Sequence, residues 1–275
     1  MRDWQLGKTY RSFSGQVCWD VLGKAHGEPV VLLHGTPFSS YVWRTIARSL
    51  ARDYRVFVWD MPGYGASEMA DGQDVSLAAQ GRVFADLLIH WGLAEALVVA
   101  HDFGGAVALR AHLLHGVRYR RLALVDAVAL APWGSPFFRL VREHSDVFGQ
   151  LPPRLHRALV REYISSASHP GLHQATLDRL VEPWMGDTGQ PAFYRQIAQA
   201  DERYTDEIQD RYGTIDFPVL VCWGTDDAWI PVARGRELAS RIPGARLALI
   251  PEAGHLVQED APAELTAALI AFLRE

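Results

Sequence analysis

Residues 98–108 read VVAHDFGGAVA and carry the most structural information in the sequence. The first half is an apolar run typical of a buried strand, and the second half has the small apolar residues of a packed helix. Ala100 and Gly104 flank Asp102 at an offset of two residues on either side. Small residues at these offsets allow the backbones of a strand and a helix to approach closely. The segment therefore predicts a tight strand–turn–helix unit with Asp102 at its turn.

The spacing around Asp102 is that of a nucleophile elbow, which presents a reactive side chain at the top of a sheet. An aspartate is already ionised at neutral pH, because its reference pKa is about 3.9. It suits displacement at an sp³ carbon with a strained or good leaving group, and this forms an alkyl ester on the enzyme. Hydrolysis of the ester then needs a neutral histidine as general base. Aspartate also commonly caps a helix, so a purely structural role for Asp102 stays open.

Other apolar runs end in turn residues and have the composition of central strands in a parallel sheet. These runs cover residues 30–33, 55–59, 96–100, 122–125, 218–223 and 247–250. Helical spacing of apolar residues predicts helices over residues 41–51, 77–93 and 262–273. The alternation of strands and helices indicates an α/β protein with a mostly parallel sheet flanked by helices.

The strand pattern is interrupted between residues 131 and 212, where prolines, aromatic residues and charges are frequent. This segment is predicted to be a helical cap inserted after the sixth strand. Residues 1–130 and 213–275 then form the core. Ligands bind beyond the carboxyl ends of the strands in open α/β sheets, and the cap is expected to cover that edge.

Composition narrows the function to a protein that acts on small molecules. The 275 residues are 49% hydrophobic and 21% charged, with a formal net charge of −5. Nucleic acid and anionic membranes both favour a basic surface, so neither is expected as a partner. Cys18 and Cys222 lie in apolar runs and are interpreted as small buried residues without a disulfide framework. We expect a cytoplasmic protein, with homodimerisation left open.

Two later segments supply candidates for a catalytic acid and a base. Asp227 lies three residues after Gly224 in a loop that follows a strand, and His255 lies just after the last strand. An acid of this kind fixes the tautomer of the histidine, whose other nitrogen activates water. Asp226, the neighbouring residue, and Asp126, which ends the strand after the elbow helix, remain alternative acids.

Backbone donors are expected near the elbow. The run Leu33-His34-Gly35-Thr36-Pro37 follows the first predicted strand. The N–H groups of Thr36 and Phe103 are predicted to form an oxyanion hole, in which one donor is typically worth ~3 kcal/mol of the barrier. No metal or organic cofactor is needed for this chemistry.

Together these motifs resemble the branch of the α/β-hydrolase superfamily that contains epoxide hydrolases and haloalkane dehalogenases. The resemblance covers nearly the whole chain, through residues 34–37, 60–67, 101–105, 224–231 and 254–255. It implies an aspartate nucleophile and a cofactor-independent hydrolase. Haloalkane dehalogenases usually carry asparagine and tryptophan donors for halide at the positions that Thr36 and Phe103 occupy here. The usual halide site is therefore absent from this sequence.

Epoxide hydrolases use cap tyrosines to donate to the opening epoxide oxygen. The run 192–196, AFYRQ, is similar to the segment that carries one of them, so Tyr194 is the predicted donor. Tyr163 is a candidate for a second tyrosine. His34, Trp133 and Trp184 are further candidates for the substrate pocket, with the tryptophans expected to form walls.

The sequence thus favours hydrolysis of a small, apolar epoxide to a vicinal diol. Asp102 would attack, Tyr194 would protonate the oxygen, and His255 with Asp227 would activate water. A haloalkane or haloacid dehalogenase with an atypical halide site is the alternative reaction. A ligand-binding protein built on a hydrolase scaffold is the alternative from another class.

Overall fold

The strands of the protein form one eight-stranded sheet in the computed structural model, which describes residues 4–275. Along the chain they are β1 (Lys8–Ser12), β2 (Gly15–Gly23), β3 (Pro29–Leu33), β4 (Arg55–Trp59), β5 (Glu95–His101), β6 (Arg118–Val125), β7 (Val219–Gly224) and β8 (Arg246–Ile250). Their order in the sheet is β1-β2-β4-β3-β5-β6-β7-β8. Strands β1 and β2 pair antiparallel, as do β2 and β4, and every other pair is parallel.

Helices occupy the connections between the strands. They are α1 (Arg44–Leu50), α2 (Leu77–His90), α3 (Phe103–His115), α4 (Pro136–Glu143), α5 (Ser145–Phe148), α6 (Pro153–Ser165), α7 (Gln174–Val181), α8 (Gly186–Ala198), α9 (Arg203–Gln209), α10 (Val232–Arg241), α11 (Val257–Asp260) and α12 (Pro262–Leu273). Helices α2 and α3 pack against each other, and so do α1 and α12. Helices α4–α9 lie between β6 and β7 and form a helical insertion.

The central strands are apolar over the residues that lead to their carboxyl ends, because both faces of the sheet are covered there. Val30 on β3 pairs with Val56 on β4 and with Leu97 on β5, and all three are buried. Parallel strands end at a common edge of the sheet. The turns that follow β3, β5, β6 and β7 therefore meet there, and they carry Thr36, Asp102, Asp126 and Asp227.

The predicted fold class is confirmed, and the differences are local. The predicted helix over residues 41–51 begins with a 3₁₀ turn, Ser40–Trp43, before α1. The antiparallel β1–β2 hairpin at one side of the sheet was not predicted from the sequence, except that the run around Cys18 was interpreted as apolar. Cys222 is buried as predicted, whereas Cys18 is only partly buried and lies 3.1 Å from the carbonyl oxygen of Ala66. Within residues 4–275, no helix has both the length and the apolar character to cross a membrane.

The contact between α3 and β3 depends on a glycine. A Cβ atom on Gly104 would lie 2.6 Å from the carbonyl oxygen of His34 and 2.8 Å from Cβ of Leu33. We expect Gly104→Ala to lower the free energy of unfolding by about 1–3 kcal/mol, because a backbone atom cannot move aside cheaply. Urea unfolding measures the effect.

Gly213→Ala is the matched control, since a Cβ atom at this position would have no heavy atom of the described residues within 4 Å. It should leave stability unchanged or raise it slightly. Equal effects of the two substitutions would contradict the close approach of α3 and β3.

Candidate active site

Asp102 occupies the sharp turn between β5 and α3. Its backbone has φ 50° and ψ −121°, a conformation that costs about 1–3 kcal/mol for a residue other than glycine. The turn is held by hydrogen bonds from the Asp102 N–H to the Val125 carbonyl and from the Gly105 and Val128 N–H groups to the Asp102 carbonyl. The carboxylate makes no capping hydrogen bond to α3. The helix-capping alternative therefore does not describe this side chain.

Each oxygen of the Asp102 carboxylate faces a different group. The Thr36 N–H donates to Oδ1 at 2.6 Å, and Nε2 of His255 lies 3.3 Å from Oδ2. Gly35 makes this approach feasible, because a Cβ there would lie 2.2 Å from Oδ1. Phe103 follows at the first position of α3, and it lines a cavity together with Thr36 and Asp102. The structure thus brings together Thr36, Phe103, Asp102 and His255.

Asp227 holds the other side of His255. Its Oδ2 lies 2.9 Å from Nδ1 of His255, while its Oδ1 accepts hydrogen bonds from the N–H groups of Trp229 and Ile230. An acceptor at Nδ1 directs Nε2 towards Asp102. Burial opposes a positive charge on His255, but Asp227 and Asp102 outweigh it and raise the pKa of His255 well above its ordinary value.

The two alternative acids have different surroundings. Asp126 is fully buried, and its Oδ1 accepts a hydrogen bond from the Gly224 N–H while Oδ2 has no partner among the described residues. Burial and the adjacent negative charge of Asp227 raise the pKa of Asp126 well above its usual range. Both effects favour the neutral form of the Asp126 carboxyl. Asp226 is exposed and accepts a hydrogen bond from the hydroxyl of Thr225.

Two residues that the sequence analysis missed pack on the catalytic histidine candidate. The His101 ring donates from Nε2 to the backbone carbonyl of His255 at 2.9 Å. Burial and the neighbouring His255 lower the pKa of His101 to about 3, so its ring is neutral. Trp229 stacks on the His255 ring with centroids 5.0 Å apart. His101 directly precedes Asp102, and Trp229 lies two residues after Asp227. This closeness to predicted site residues was the one signal in the sequence that could have identified them.

A small cavity of about 30 Å³ lies directly beside Asp102. We call it the inner pocket, and it is lined by Thr36, Asp102, Phe103, Val128, Trp133, Gly134, Ser135, Phe138, Tyr163, Trp229 and Ile230. Asp102 is the one charged residue in this lining set. Of the predicted pocket residues, Trp133 and Tyr163 line it, whereas His34 and Trp184 do not. His34 instead accepts a hydrogen bond from the Met61 N–H.

The indole N–H groups of both predicted pocket tryptophans are already engaged. Trp133 donates to the Thr205 hydroxyl at 2.9 Å, and Trp184 donates to the Pro37 carbonyl at 2.7 Å. Neither N–H is therefore available to a halide ion. Trp133 contributes its ring as a wall of the inner pocket.

Tyr194 lies elsewhere than predicted. Its hydroxyl donates to Nδ1 of His156 at 2.8 Å, and Nε2 of that histidine donates to the Trp184 carbonyl. Tyr194 is not among the residues that line the inner pocket. Tyr163 is the tyrosine that lines it, and burial together with the charge of Asp102 raises the pKa of Tyr163 well above its usual value. Its phenol is thus protonated and within electrostatic reach of Asp102.

The helical insertion is hydrogen-bonded to the turn after β3, in which the Thr36 N–H donates to Asp102. The Thr36 hydroxyl donates to Oε1 of Gln196 on α8 at 2.6 Å, and the Tyr64 hydroxyl donates to the same oxygen at 3.1 Å. Gln196 is buried, and its amide nitrogen has no partner among the described residues. The turn after β3 and α8 are therefore linked directly by hydrogen bonds.

The raised pKa of Asp126 has a measurable consequence. A carboxyl whose pKa is raised on folding makes the folded protein less stable as pH rises from the unfolded pKa, about 3.9, towards the folded pKa. Asp126→Asn removes this loss, so the free energy of unfolding of the variant should improve relative to that of the unsubstituted protein by up to about 1.4 kcal/mol per pH unit. Denaturant unfolding between pH 4.5 and 6 tests this, because the pKa of His255 lies above that range. A difference that does not vary with pH would contradict a raised pKa of Asp126.

Several known proteins share this chain's sequence pattern and fold. The model of a family described as "Alpha/beta hydrolase family" matches residues 30–269. An alpha/beta hydrolase fold protein from Burkholderia ambifaria is 48% identical, with a TM-score of 0.94 and 98% of each chain covered. Epoxide hydrolase A of Mycobacterium tuberculosis is 31% identical, with 90% of this chain and 91% of that protein covered.

Two more distant relatives differ in their described activities. Haloalkane dehalogenase 2 of Mycobacterium bovis is 26% identical, with 89% of this chain and 87% of that protein covered. The dihydrolipoyllysine-residue acetyltransferase component of an acetoin cleaving system from Pseudomonas putida is 29% identical over 94% of this chain, which spans 66% of that longer protein. The family model covers most of the chain. The chain belongs to the alpha/beta hydrolase family.

Proposed function

We propose that the protein hydrolyses an epoxide to a vicinal diol through an ester on Asp102. One observation carries the proposal: a carboxylate stands at the elbow, between a backbone donor on one oxygen and a carboxylate-oriented histidine at the other. The 31% identity to an epoxide hydrolase supports the same reaction. The apolar inner pocket favours an uncharged substrate.

In the first step, Oδ2 of Asp102 attacks a ring carbon and the carbon–oxygen bond of the epoxide breaks. Oδ1 remains bound to the Thr36 N–H and becomes the carbonyl oxygen of the ester. The developing alkoxide needs a proton donor. We assign this role to Tyr163 rather than Tyr194, since Tyr163 lines the pocket and keeps its proton at neutral pH.

In the second step, His255 activates water. The formation of a neutral ester removes one of the two negative charges beside His255, so its pKa falls and the protonated ring releases its proton, which replaces the one that Tyr163 gave. The neutral ring then takes a proton from water. Hydroxide adds to the ester carbon, and the Thr36 N–H stabilises the oxyanion on Oδ1. Collapse passes the proton of the added hydroxyl to the leaving alkoxide, releases the diol and restores the Asp102 carboxylate. His255 and Tyr163 end in their starting states, so one epoxide and one water yield one diol.

Trapping the ester tests the proposed nucleophile. His255→Gln should permit the first step but block the second, so that an epoxide accumulates on the protein. Intact-mass spectrometry should show an increase equal to the whole mass of the epoxide, since ring opening expels no group. Peptide mapping should locate it on Asp102.

The double variant Asp102→Asn/His255→Gln is the control and should form no adduct. Circular dichroism checks that both variants are folded. If the parent enzyme turns an epoxide over but His255→Gln forms no adduct with the same epoxide, the covalent route is excluded. A parent protein that binds ligands without turnover would favour the ligand-binding alternative.

Matched tyrosine variants test the proton donor. Tyr163→Phe should lower kcat/KM for epoxides by about 10²–10⁴-fold, because the leaving oxygen loses its donor. Tyr194→Phe should change it by less than about threefold, because that hydroxyl is bound to His156. Steady-state diol formation measures both. The reverse order of effects would restore Tyr194 as the donor.

Haloalkane hydrolysis is the second candidate, supported by the 26% identity to a haloalkane dehalogenase. The engaged indole groups of Trp133 and Trp184 argue against a halide site. Halide release from haloalkanes that survives Tyr163→Phe but not Asp102→Asn would favour this reaction.

A further inference from the structure

A second, larger cavity adjoins the inner pocket. It has a volume of about 450 Å³ and lies between α4, α6 and the loop after β7. We call it the outer groove, and it is lined by Ser135, Phe137, Leu159, Glu162, Tyr163, Ser166, Ala228 and Trp229. Its volume is typical of sites that hold a small organic molecule.

The two cavities share part of their walls. Ser135, Tyr163 and Trp229 line both of them. The Tyr163 ring stacks on Trp229 with centroids 4.5 Å apart and an interplanar angle of 11°. The same stack also covers His255 through Trp229. A molecule lying in the outer groove therefore borders the aromatic pair that stands beside Asp102 and His255.

The sizes of the cavities divide a substrate into two parts. The inner pocket, at about 30 Å³, is far smaller than the outer groove, at about 450 Å³, so the smaller part of a substrate lies beside Asp102. Any larger substituent must extend into the outer groove. The groove walls are mainly apolar, through Phe137, Leu159 and Trp229. The one charged residue in the lining set, Glu162, is exposed and repels anions.

We propose that the substrate is a terminal epoxide with a linear, uncharged apolar tail, which the outer groove binds. This inference rests on the proposed function. The unsubstituted ring carbon enters the inner pocket, and the tail passes the Tyr163–Trp229 stack. Epoxides with substituents on both ring carbons are poor substrates, because the inner pocket holds no second substituent.

A pair of matched substitutions on α6 tests the groove. Leu159 lines the outer groove, whereas Leu155, one turn earlier on the same helix, does not line it and is 58% exposed. Leu159→Asp places a charge in the groove at a partly buried position. Leu155→Asp makes the same chemical change outside it, and both variants should fold.

Binding of unreactive 1,2-diols gives a readout that needs no turnover. For butane-, hexane- and octane-1,2-diol, calorimetry should show affinity rising about fourfold for each added methylene in the parent protein and in Leu155→Asp. Leu159→Asp should abolish this dependence on chain length. Leu155→Asp should leave kcat/KM for 1,2-epoxypropane within about twofold of the parent value.

Turnover of terminal and internal epoxides of equal carbon number completes the test. The parent should favour 1,2-epoxyoctane over 4,5-epoxyoctane by more than tenfold. Equal chain-length dependence in the two α6 variants, or a preference for the internal epoxide, would overturn the inference. Suppose that diol binding depends on chain length but no epoxide is turned over. The proposed reaction would then be refuted, and the substrate would no longer be assigned as an epoxide. The outer groove would still be a binding site for an apolar tail.

Discussion

A buried negative charge on Asp102 is the constraint on which the site depends. A carboxylate removed from water must be stabilised by protein groups, or it takes up a proton. Here the Thr36 N–H and His255 supply that stabilisation. Gly35 leaves room for the carboxylate beside it, and Gly104 lets α3 approach β3 closely. The strained elbow, the parallel strands and the close packing of α3 all serve this one arrangement.

The same electrostatic logic separates the three carboxyl groups of the site. Asp227 accepts hydrogen bonds from two backbone N–H groups, and its other oxygen faces Nδ1 of His255. Asp126 accepts one N–H, and burial together with the negative charge of Asp227 raises its pKa. One carboxyl therefore orients His255, whereas the surroundings of the other favour its neutral form. The position of backbone donors, rather than residue type, makes this distinction.

Local patterns predicted the fold and the elbow well, because apolar runs and small residues around Asp102 act over a few positions. The proximity of Asp227 to His255 was also predictable, since both follow parallel strands that end at one edge. The orientation of cap side chains was not. Tyr194 and Tyr163 are both plausible from sequence, and only helix packing turns the first towards His156 and the second towards Asp102. The support of His255 by His101 and Trp229 likewise arises from contacts between different turns. Apart from the run around Cys18, the β1–β2 hairpin was missed because its strands are only partly buried.

Gln196 joins the helices above the sheet to the turn that stabilises Asp102. Its side-chain oxygen accepts from Thr36 and Tyr64 at once, so α8 cannot shift without disturbing the residue whose N–H donates to Asp102. The surroundings of Asp102 and the packing of the insertion are consequently coupled. A transplant of the helical insertion from a relative would alter the hydrogen bonding at Asp102 as well as the lining of the pocket, unless the recipient turn and the new helix were exchanged together.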